Sequence, residues 1–315
     1  MTIAIKEGWI YHAPDGTGLP WDTDPTMTAL YKFGYLPANN SSIINKSDKI
    51  LAERIRQVGQ YSTSIHTGNK PNGDISMNFG MINGLPIYWM LGKATEAAGV
   101  FTISNLDGTT RKKRLGLRQE IDGKNFHNYG VTVNRLSLSY VNSMLWADMS
   151  AMGMKDELSV AASVTPTWPS DVGNAYNVLT AMTWDGVDLK PVTFRTEMSQ
   201  SLSPFMGEDG YYTEISEFSP IEVMHAMQFL GSEAEAAGMV EDFVAKSEKT
   251  FTWTVSKAQD ATKYITCTGT GVLIDQDILK GYGLETFYTY AIWCSSLTFT
   301  VVDGLNKTTF YGIAA

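Results

Sequence analysis

The chain has 315 residues, of which 43% are hydrophobic and 18% are charged. This composition is typical of a folded globular protein with room for two domains, and it excludes an intrinsically disordered chain. No stretch approaches the roughly 18 apolar residues that a membrane-spanning helix needs. The segment MTIAIKEGWIYH at the start of the sequence lacks the basic residues and apolar core of a secretory signal. We therefore expect no membrane contact.

The net charge of −9 is unevenly distributed. Residues 1–160 carry 16 Lys and Arg against 14 Asp and Glu, whereas residues 161–315 carry 8 against 19. No Lys or Arg occurs between Arg195 and Lys246, and an acidic surface of this length would repel nucleic acid. The other half contains a dense basic run, RKKR, at residues 111–114. The two regions are predicted to be complementary surfaces of a self-associating protein.

Alternation of apolar and polar residues with period two, which is typical of strands with one buried face, recurs along the chain. In chain order it is clearest in Ile75–Met81, Val131–Tyr140, Val192–Leu202, Phe251–Val255 and Leu297–Val301. In the second of these segments the parity of the apolar residues changes, which predicts a β-bulge near Asn134-Arg135. Asp303-Gly304 is typical of a hairpin turn and predicts that it joins the last two strands.

Helical signals are few. Pro86–Leu91, closed by Gly92, has proline at its start and glycine at its end, as expected of a short helix. Pro220–Leu230, closed by Gly231, has the same chemistry and predicts a second helix. Lys46–Val58 is compatible with either a helix or a strand.

The two Pro-Ile…Leu-Gly segments resemble each other, and an Ala/Glu-rich stretch follows each one (ATEAAG and SEAEAAG). Their recurrence indicates an internal duplication. A boundary fits near Pro166 and Pro169, because prolines interrupt regular structure there. We therefore predict a mainly β protein of two tandem antiparallel β-barrel or β-sandwich domains, residues 1–165 and 166–315, each with a short flanking α-helix.

The sequence shows no recognisable catalytic pattern. Its four histidines are scattered and have no metal-ligand spacing: His12, His66, His127 and His225. The glycine pairs in 269–271 and 281–283 are interpreted as turn or strand glycines, because they lack the strand–loop–helix context of a phosphate loop. Cys267 and Cys294 lie in strand-like segments and predict two buried free thiols. We therefore expect a protein that is not an enzyme and holds no cofactor.

Two sets of acidic residues are compatible with a metal site or with catalysis. Asp15, Asp22 and Asp24 could share a calcium ion, although their spacing matches no EF-hand loop. Glu208-Asp209 could serve acid–base catalysis, but a solvated acidic loop explains this pair better. Neither group is predicted to be a site.

The region Tyr129–Lys155 (YGVTVNRLSLSYVNSMLWADMSAMGMK) resembles the signature of the tail tube proteins of long-tailed DNA phages and archaeal viruses. In that family a glycine precedes an alternating V-N-x-L-x-L strand, and a second strand and a Gly-Lys-like turn follow. The matching residues are Gly130, Val133, Asn134, Leu136, Leu138 and Gly153, with Met154 intervening before Lys155. The segments GDISMNFGMINGLPIYWMLG, TWDG, PVTFRTEMSQSL, FTWTV and LTFTVVDG extend the similarity over most of the chain.

The resemblance implies a structural virion protein, made in the host cytoplasm, that assembles into the tail as stacked rings around a continuous lumen. Family members with a duplicated domain form three-membered rings of pseudo-sixfold symmetry, and single-domain members form six-membered rings. Homotrimeric rings are therefore expected here, with homohexameric rings as the alternative. The implied partners are the tail terminator, tail-tip and tape-measure proteins, and viral DNA that passes through the lumen without specific binding.

Two sets of residues follow from the charge pattern and the resemblance. A DNA conduit must not bind its cargo, so an acidic lumen is expected. The candidate lumen-lining acids are Glu197, Glu208, Asp209, Glu214 and Glu217. The candidate inter-subunit basic cluster is Arg111, Lys112, Lys113 and Arg114, expected to contact acids of a neighbouring subunit or ring. Its alternative interpretation is a solvated basic loop.

Two other classes of function stay open. One is another structural virion component, such as a baseplate, tail-tip or head-decoration protein, which would form a discrete oligomer rather than a tube. The other is a glycan-binding or glycan-cleaving β-sandwich. Such a protein needs exposed aromatic residues beside carboxylates, and Trp21, Trp168 and Trp184 are the candidates, although core packing explains lone tryptophans more often.

Overall fold

The structure of this chain is a computed structural model. It describes residues 5–12, 30–33, 49–50, 65–66, 75–104, 106, 110, 112, 114–121, 124–153, 155–159, 175–206, 212–217, 219–231, 233–280, 286–308, 311 and 313. Strands dominate this part of the chain, as the alternating segments predicted. The mainly β, antiparallel class is therefore confirmed.

Two helices are present in the described ranges, α1 (Leu85–Leu91) and α2 (Glu233–Ala245). The strands there are β1 (Ile5–His12), β2 (Leu30–Phe33), β3 (Lys49–Ile50), β4 (Ile65–His66), β5 (Ile75–Gly80), β6 (Ala94–Ala97), β7 (Val100–Ile103), β8 (Leu115–Ile121), β9 (Lys124–Val141), β10 (Met144–Met152), β11 (Lys155–Ser159), β12 (Val178–Trp184), β13 (Val187–Asp188), β14 (Lys190–Ser199), β15 (Leu202–Met206), β16 (Tyr212–Glu217), β17 (Glu222–Gly231), β18 (Glu248–Lys257), β19 (Asp260–Lys280) and β20 (Thr286–Val302). Of the ambiguous segment 46–58, only β3 lies within the described residues.

Most strands join one antiparallel sheet with the central order β12–β18–β19–β20–β17–β14–β9. Strands β8, β1 and β2 continue from the N-terminal half of β9, and β10 and β5 continue from its C-terminal half. Both halves of the chain contribute to this sheet, because β9 pairs with β14 and β7 pairs with β20. The division into domains 1–165 and 166–315 stays a prediction, and its boundary at Pro166 and Pro169 lies outside the described residues.

The long strand β9 changes its neighbours at Gly130. This glycine has a φ of 60°, a left-handed conformation that L side chains rarely adopt. Before it, residues 125–129 pair with β11, and after it residues 132–141 pair with β10. One strand can therefore serve two parts of the sheet.

The predicted bulge in β9 is confirmed. Ser150 of β10 lies opposite Arg135, but the next residue, Ala151, lies opposite Val133, so that Asn134 is the extra residue. The extra residue shifts the side-chain parity by one. Both apolar sets of this strand therefore reach the core: Val131, Val133, Leu136 and Leu138 are all fully buried.

The core closes because the sheet curls onto itself. Phe194 of β14 stacks on Trp253 of β18 with ring centroids 4.3 Å apart, although three strands separate β14 from β18 in the sheet. Offset aromatic stacking of this kind adds about 0.5–1.5 kcal/mol to the burial of the rings. The inner faces of distant strands thus form a single hydrophobic cluster.

A short segment before β12 joins two distant parts of the curled sheet. The carbonyl of Tyr176 accepts a hydrogen bond from the Leu145 N–H (2.8 Å), and the Tyr176 N–H donates to the Met81 carbonyl (2.9 Å). The next residue, Asn177, donates its N–H to the carbonyl of Ser256 at the end of β18 (3.0 Å). These bonds connect the β5–β10 side of the sheet with β18.

The first predicted helix is confirmed as α1. It has proline in its first turn and ends at Gly92, whose φ of 82° allows its N–H to donate to the Tyr88 carbonyl (2.7 Å). All seven of its residues are buried. A helix this short is marginal in water, so its stability comes from packing on β9, β7 and the C-terminal segment.

The second predicted helix is wrong, because most of Pro220–Leu230 forms strand β17. Its buried residues alternate with period two, namely Val223, His225, Met227 and Phe229. Strands β14 and β20 pair with it on either side, and this pairing outweighs the local proline and glycine signals. The helix α2 lies in the acidic segment that follows. Because ATEA after α1 forms strand β6, the two similar segments do not fold alike.

The predicted hairpin at Asp303-Gly304 is also wrong, since no strand follows β20 among the described residues. Gly304 does turn the chain, with a φ of 78°. Asp303, however, is fully buried, and its Oδ2 accepts hydrogen bonds from the Gly84 N–H (3.0 Å) and the Tyr311 hydroxyl (2.5 Å). The aspartate therefore attaches the C-terminal segment to the start of α1 and does not shape a hairpin.

Gly269 and Gly271 both lie in β19, which confirms their interpretation as strand glycines. Residues 281–283 lie outside the described residues.

Replacement of Gly271 by alanine is expected to lower the free energy of unfolding by about 2 kcal/mol. A Cβ at Gly271 would lie 2.3 Å from the Trp293 carbonyl oxygen, and backbone cannot move aside cheaply. Denaturant unfolding should show the loss.

Gly238→Ala is the matched control. Gly238 lies within α2, and a Cβ there would meet no atom within 4 Å. Since alanine is a better helix former, this change is expected to raise stability by about 0.5–1 kcal/mol. If both substitutions change the free energy of unfolding equally, the backbones of β19 and β20 do not approach as closely at Gly271 as the structure indicates.

Candidate functional site

A row of directly opposed residues crosses seven strands on the outer face of the central sheet. In strand order it consists of Asp148 (β10), Ser137 (β9), Glu197 (β14), Met224 (β17), Trp293 (β20), Val272 (β19) and Glu248 (β18). Except at Glu248, the sequence neighbours of these residues are buried, because side chains alternate along each strand. We call these seven residues the outer row.

The outer row is ionic on the β9–β14 side. The Glu197 carboxylate bridges two arginines: its Oε1 lies 2.8 Å from Arg135 Nε, and its Oε2 lies 2.8 Å from an Arg195 guanidinium nitrogen. Arg195 also donates from its Nε to the Ser137 hydroxyl (2.8 Å), which explains why this serine is covered. The hydrogen bond with Glu197 raises the pKa of Arg135, with a further contribution from Asp148.

This geometry changes the interpretation of Glu197 as a lumen acid. The charge of Glu197 is matched by Arg135 and Arg195, so it is not an isolated negative group. All three side chains are partly exposed, and pairs of this kind contribute about 0–1 kcal/mol each. The cluster therefore contributes little to stability.

The middle of the outer row is apolar and exposed. Trp293 is 53% exposed and lies directly opposite Met224, which is 40% exposed. Ile274, also exposed, lies two residues beyond Val272, at a register shift between β19 and β20. Aromatic and methionine side chains are enriched in protein interfaces, and grouped apolar exposure marks contact surfaces. This part of the face therefore has the composition of an interface.

Met224 and Trp293 were not among the site residues predicted from the sequence. The alternation in β20 could have identified Trp293. Tyr290, Ile292 and Cys294 are every second residue and are buried, so the tryptophan between the last two faces outward. Met224 was missed because its segment was interpreted as a helix. Once β17 is known to be a strand, the same alternation places Met224 outward.

One residue of the predicted basic cluster is buried. Lys112 is only 6% exposed, and its Nζ donates to the Val133 carbonyl (2.8 Å) and contacts Met90 Sδ (3.7 Å). Burial lowers the pKa of Lys112 to about 8, and the nearby Glu217 carboxylate acts in the opposite direction. The amine thus anchors its segment beneath α1 and cannot reach a neighbouring subunit from this position.

A contact between the basic cluster and the acidic stretch exists within the chain itself. The backbone N–H of Lys112 donates to Glu217 Oε1 (2.9 Å) at the end of β16. Arg114 is exposed. For Glu214 only the backbone of β16 is described, and four candidate residues lie outside the described ranges: Arg111, Lys113, Glu208 and Asp209.

His225 belongs to a buried aromatic group. Its ring stacks on Phe251 with centroids 4.3 Å apart, and its Nδ1 lies 2.9 Å from the Thr196 hydroxyl. The same hydroxyl accepts a hydrogen bond from Trp253 Nε1 (3.1 Å). Burial lowers the pKa of His225 to about 3, so this ring is neutral and packed. The backbones of His12, His66 and His127 lie in β1, β4 and β9.

The remaining sequence candidates carry no site in the parts of the chain that the structure describes. Cys267 and Cys294 are buried free thiols, as predicted, and burial raises the pKa of both. Trp184 is buried and donates its Nε1 to Asp242 (2.9 Å), so its ring is not available for stacking on a sugar. Five residues lie outside the described ranges: Asp15, Asp22, Asp24, Trp21 and Trp168.

The described residues contain no group of three or more His, Cys, Asp or Glu arranged to hold a metal ion. None of their helices has the length and apolarity to cross a membrane. No protein-family profile matches the sequence, and a comparison with curated proteins finds no match.

Proposed function

We propose that this protein is a tail tube subunit, which stacks in rings to form the DNA conduit of a long-tailed virus. The observation that carries the proposal is the outer row: an exposed Met224–Trp293 pair beside the arginine-flanked Glu197, on the face of a large antiparallel sheet. Such a surface suits permanent contact with another protein. The similarity of Tyr129–Lys155 to tail tube proteins supports the same function.

The curled sheet supports a barrel-like or sandwich-like subunit. Tyr176 and Asn177 connect the β5–β10 side of the sheet with β18, and the inner faces of the sheet share one core. We infer homotrimeric rings of pseudo-sixfold symmetry, with homohexamers as the alternative. A ring also protects strand edges, because unpaired backbone groups at the edge of a sheet invite uncontrolled pairing.

The acidic lumen stays part of the proposal, but its residues are reassessed. Glu197 contributes little net charge because it is shared by Arg135 and Arg195. Glu217 is engaged by the Lys112 N–H. The free negative charge would therefore come from other residues of the stretch between Arg195 and Lys246, which contains no Lys or Arg.

Electron microscopy and sedimentation velocity of the purified chain test the function directly. Stacked rings or tubes with a central channel, together with no retention of duplex DNA at physiological salt, are the expected results. A discrete oligomer that never stacks would instead favour another virion component, and glycan binding without assembly would favour the third class. A monomer that persists at high concentration under all conditions contradicts the proposal.

A variant that carries Arg111→Ser, Lys113→Ser and Arg114→Ser is expected to slow tube growth and to leave the subunit folded. Removing these positive charges is expected to weaken electrostatic steering of assembly, an effect that salt near 1 M should mimic in the unaltered chain. Light scattering measures the growth rate. Lys112 is kept because Lys112→Ser would remove the hydrogen bond to Val133 and leave a cavity beside Met90.

The control is the same variant with Lys112→Ser added, which should lose stability as well as assembly. An unchanged growth rate and salt response in the three-residue variant would show that the cluster is a solvated loop. A loss of stability in the three-residue variant would show that more of the cluster than Lys112 is structural.

A further inference from the structure

The helix α2 presents a second exposed surface. Its inner side packs on the protein through the buried Met239 and the partly buried Phe243. On the other side, Val244 is 75% exposed, and Glu241 and Ala245 are exposed with it. The helix contains four acidic residues and no basic one. Among the described side chains, the outward surface therefore combines the apolar Val244 and Ala245 with one acidic group, Glu241.

The helix surface is complementary to the outer row. Met224 and Trp293 offer an apolar strip of the kind that Val244 and Ala245 could cover. Beside that strip, the guanidinium groups of Arg135 and Arg195 are 43% and 49% exposed. Each arginine carries five N–H donors, so donors are left over after the bonds to Glu197 and Ser137.

Complementary charge and apolarity in one chain indicate a second copy as the occupant. We propose that the outer row of one subunit binds the exposed side of α2 of the next, with Val244 against Met224 and Trp293, and Glu241 near Arg195. The inference rests on the proposed function and specifies the contact that builds its ring. Each copy uses two different surfaces, and a contact of this heterologous type closes into a ring when the rotation between copies fits.

Chemical crosslinking tests the contact in the full chain. Met224→Cys and Val244→Cys are introduced together, and the assembled protein is treated with a short bismaleimide. The natural cysteines are buried, so the new thiols should dominate the reaction. The double variant is expected to give a ladder of covalent oligomers ending at the ring size. Each single variant should give no covalent oligomers, because only the double variant places an introduced thiol on both sides of the contact.

A matched control replaces Val244→Cys with Val187→Cys. Val187 is also exposed, and it lies in β13, outside both the outer row and α2. This control should give no ladder. A ladder of equal strength from the control would show random collision and would overturn the inference.

Assembly measurements give an independent readout. Trp293→Ser and Glu241→Lys are each expected to raise the concentration needed for ring formation about tenfold or more, because buried aromatic and charge-paired residues carry much of the energy of an interface. Val187→Ser should leave this concentration unchanged. Circular dichroism of each variant verifies that the subunit is folded.

The outcomes separate the inference from the proposed function. Rings or tubes that form without the crosslink, and form equally well with Trp293→Ser, overturn the inference and leave the tube function standing. A specific ladder in a ring that never stacks supports the inference and contradicts the tube function. A persistent monomer contradicts both.

Discussion

Replacing Asp303 with alanine is expected to lower the free energy of unfolding by about 3 kcal/mol. The carboxylate is fully buried and accepts three hydrogen bonds: from the Gly84 N–H (3.0 Å), the Leu305 N–H (2.9 Å) and the Tyr311 hydroxyl (2.5 Å). Alanine would leave these donors without their acceptor inside the protein. Because Gly84 is the residue that caps the start of α1, the helix should become less protected from amide exchange as well. Urea unfolding and amide hydrogen exchange measure the two effects.

Two substitutions serve as controls for Asp303→Ala. Tyr311→Phe removes one hydroxyl but keeps the ring stacked on Phe101 (centroids 3.9 Å), so its cost should be about 1 kcal/mol. Asp303→Asn keeps one acceptor oxygen and should be intermediate. If Asp303→Ala costs no more than Tyr311→Phe, the aspartate does not hold the C-terminal segment on α1.

Acid is expected to destabilise the protein through His225, by up to about 1.4 kcal/mol for each pH unit between 6.5 and 3. Burial lowers the pKa of this histidine from 6.5 to about 3 in the folded protein. As the pH falls through 6.5 the unfolded chain takes up a proton, but the folded chain does not until about pH 3. The unfolded state therefore binds more protons in this window, and stability present above pH 6.5 is progressively lost.

The variant His225→Phe isolates this contribution. Phenylalanine keeps the stack on Phe251, and the Thr196 hydroxyl still accepts from Trp253. It also removes Nε2, a buried atom without a hydrogen-bond partner among the described residues. When the urea midpoints of the two proteins are plotted against pH, the curves should be parallel above about pH 7 and diverge below about pH 6.5. The variant should lose less stability than the unaltered protein as the pH falls. Parallel curves down to about pH 4 would show that the histidine is protonated in the folded state.

Local alternation was sufficient to predict most of the strands that carry the core. Phe251, Trp253 and Val255 are buried, and so are Leu297, Phe299 and Val301, because period-two burial follows from strand geometry alone. The bulge at Asn134 was predictable for the same reason, since one extra residue must shift the parity of the strand.

The sequence was misleading where local chemistry and sheet pairing disagree. Pro220, Gly231 and the residues between them favour a helix locally, yet β14 and β20 pair with that segment along its length. A segment in the middle of a sheet satisfies its backbone on both sides, and no local signal reports this. The candidate site shares this origin, because Met224 faces outward only once β17 is a strand.

By itself, the sequence determined the antiparallel β class, the buried thiols, the first helix and the uneven charge, because each depends on composition or on neighbours a few residues away. Only the tertiary structure decided that Lys112 is buried beneath α1, that Glu197 lies between two arginines, and that Met224 meets Trp293. Those contacts join residues that are far apart in the chain, or turn a charged side chain inward. They depend on how the sheet curls and which strands pair, and that information is distributed over the whole chain.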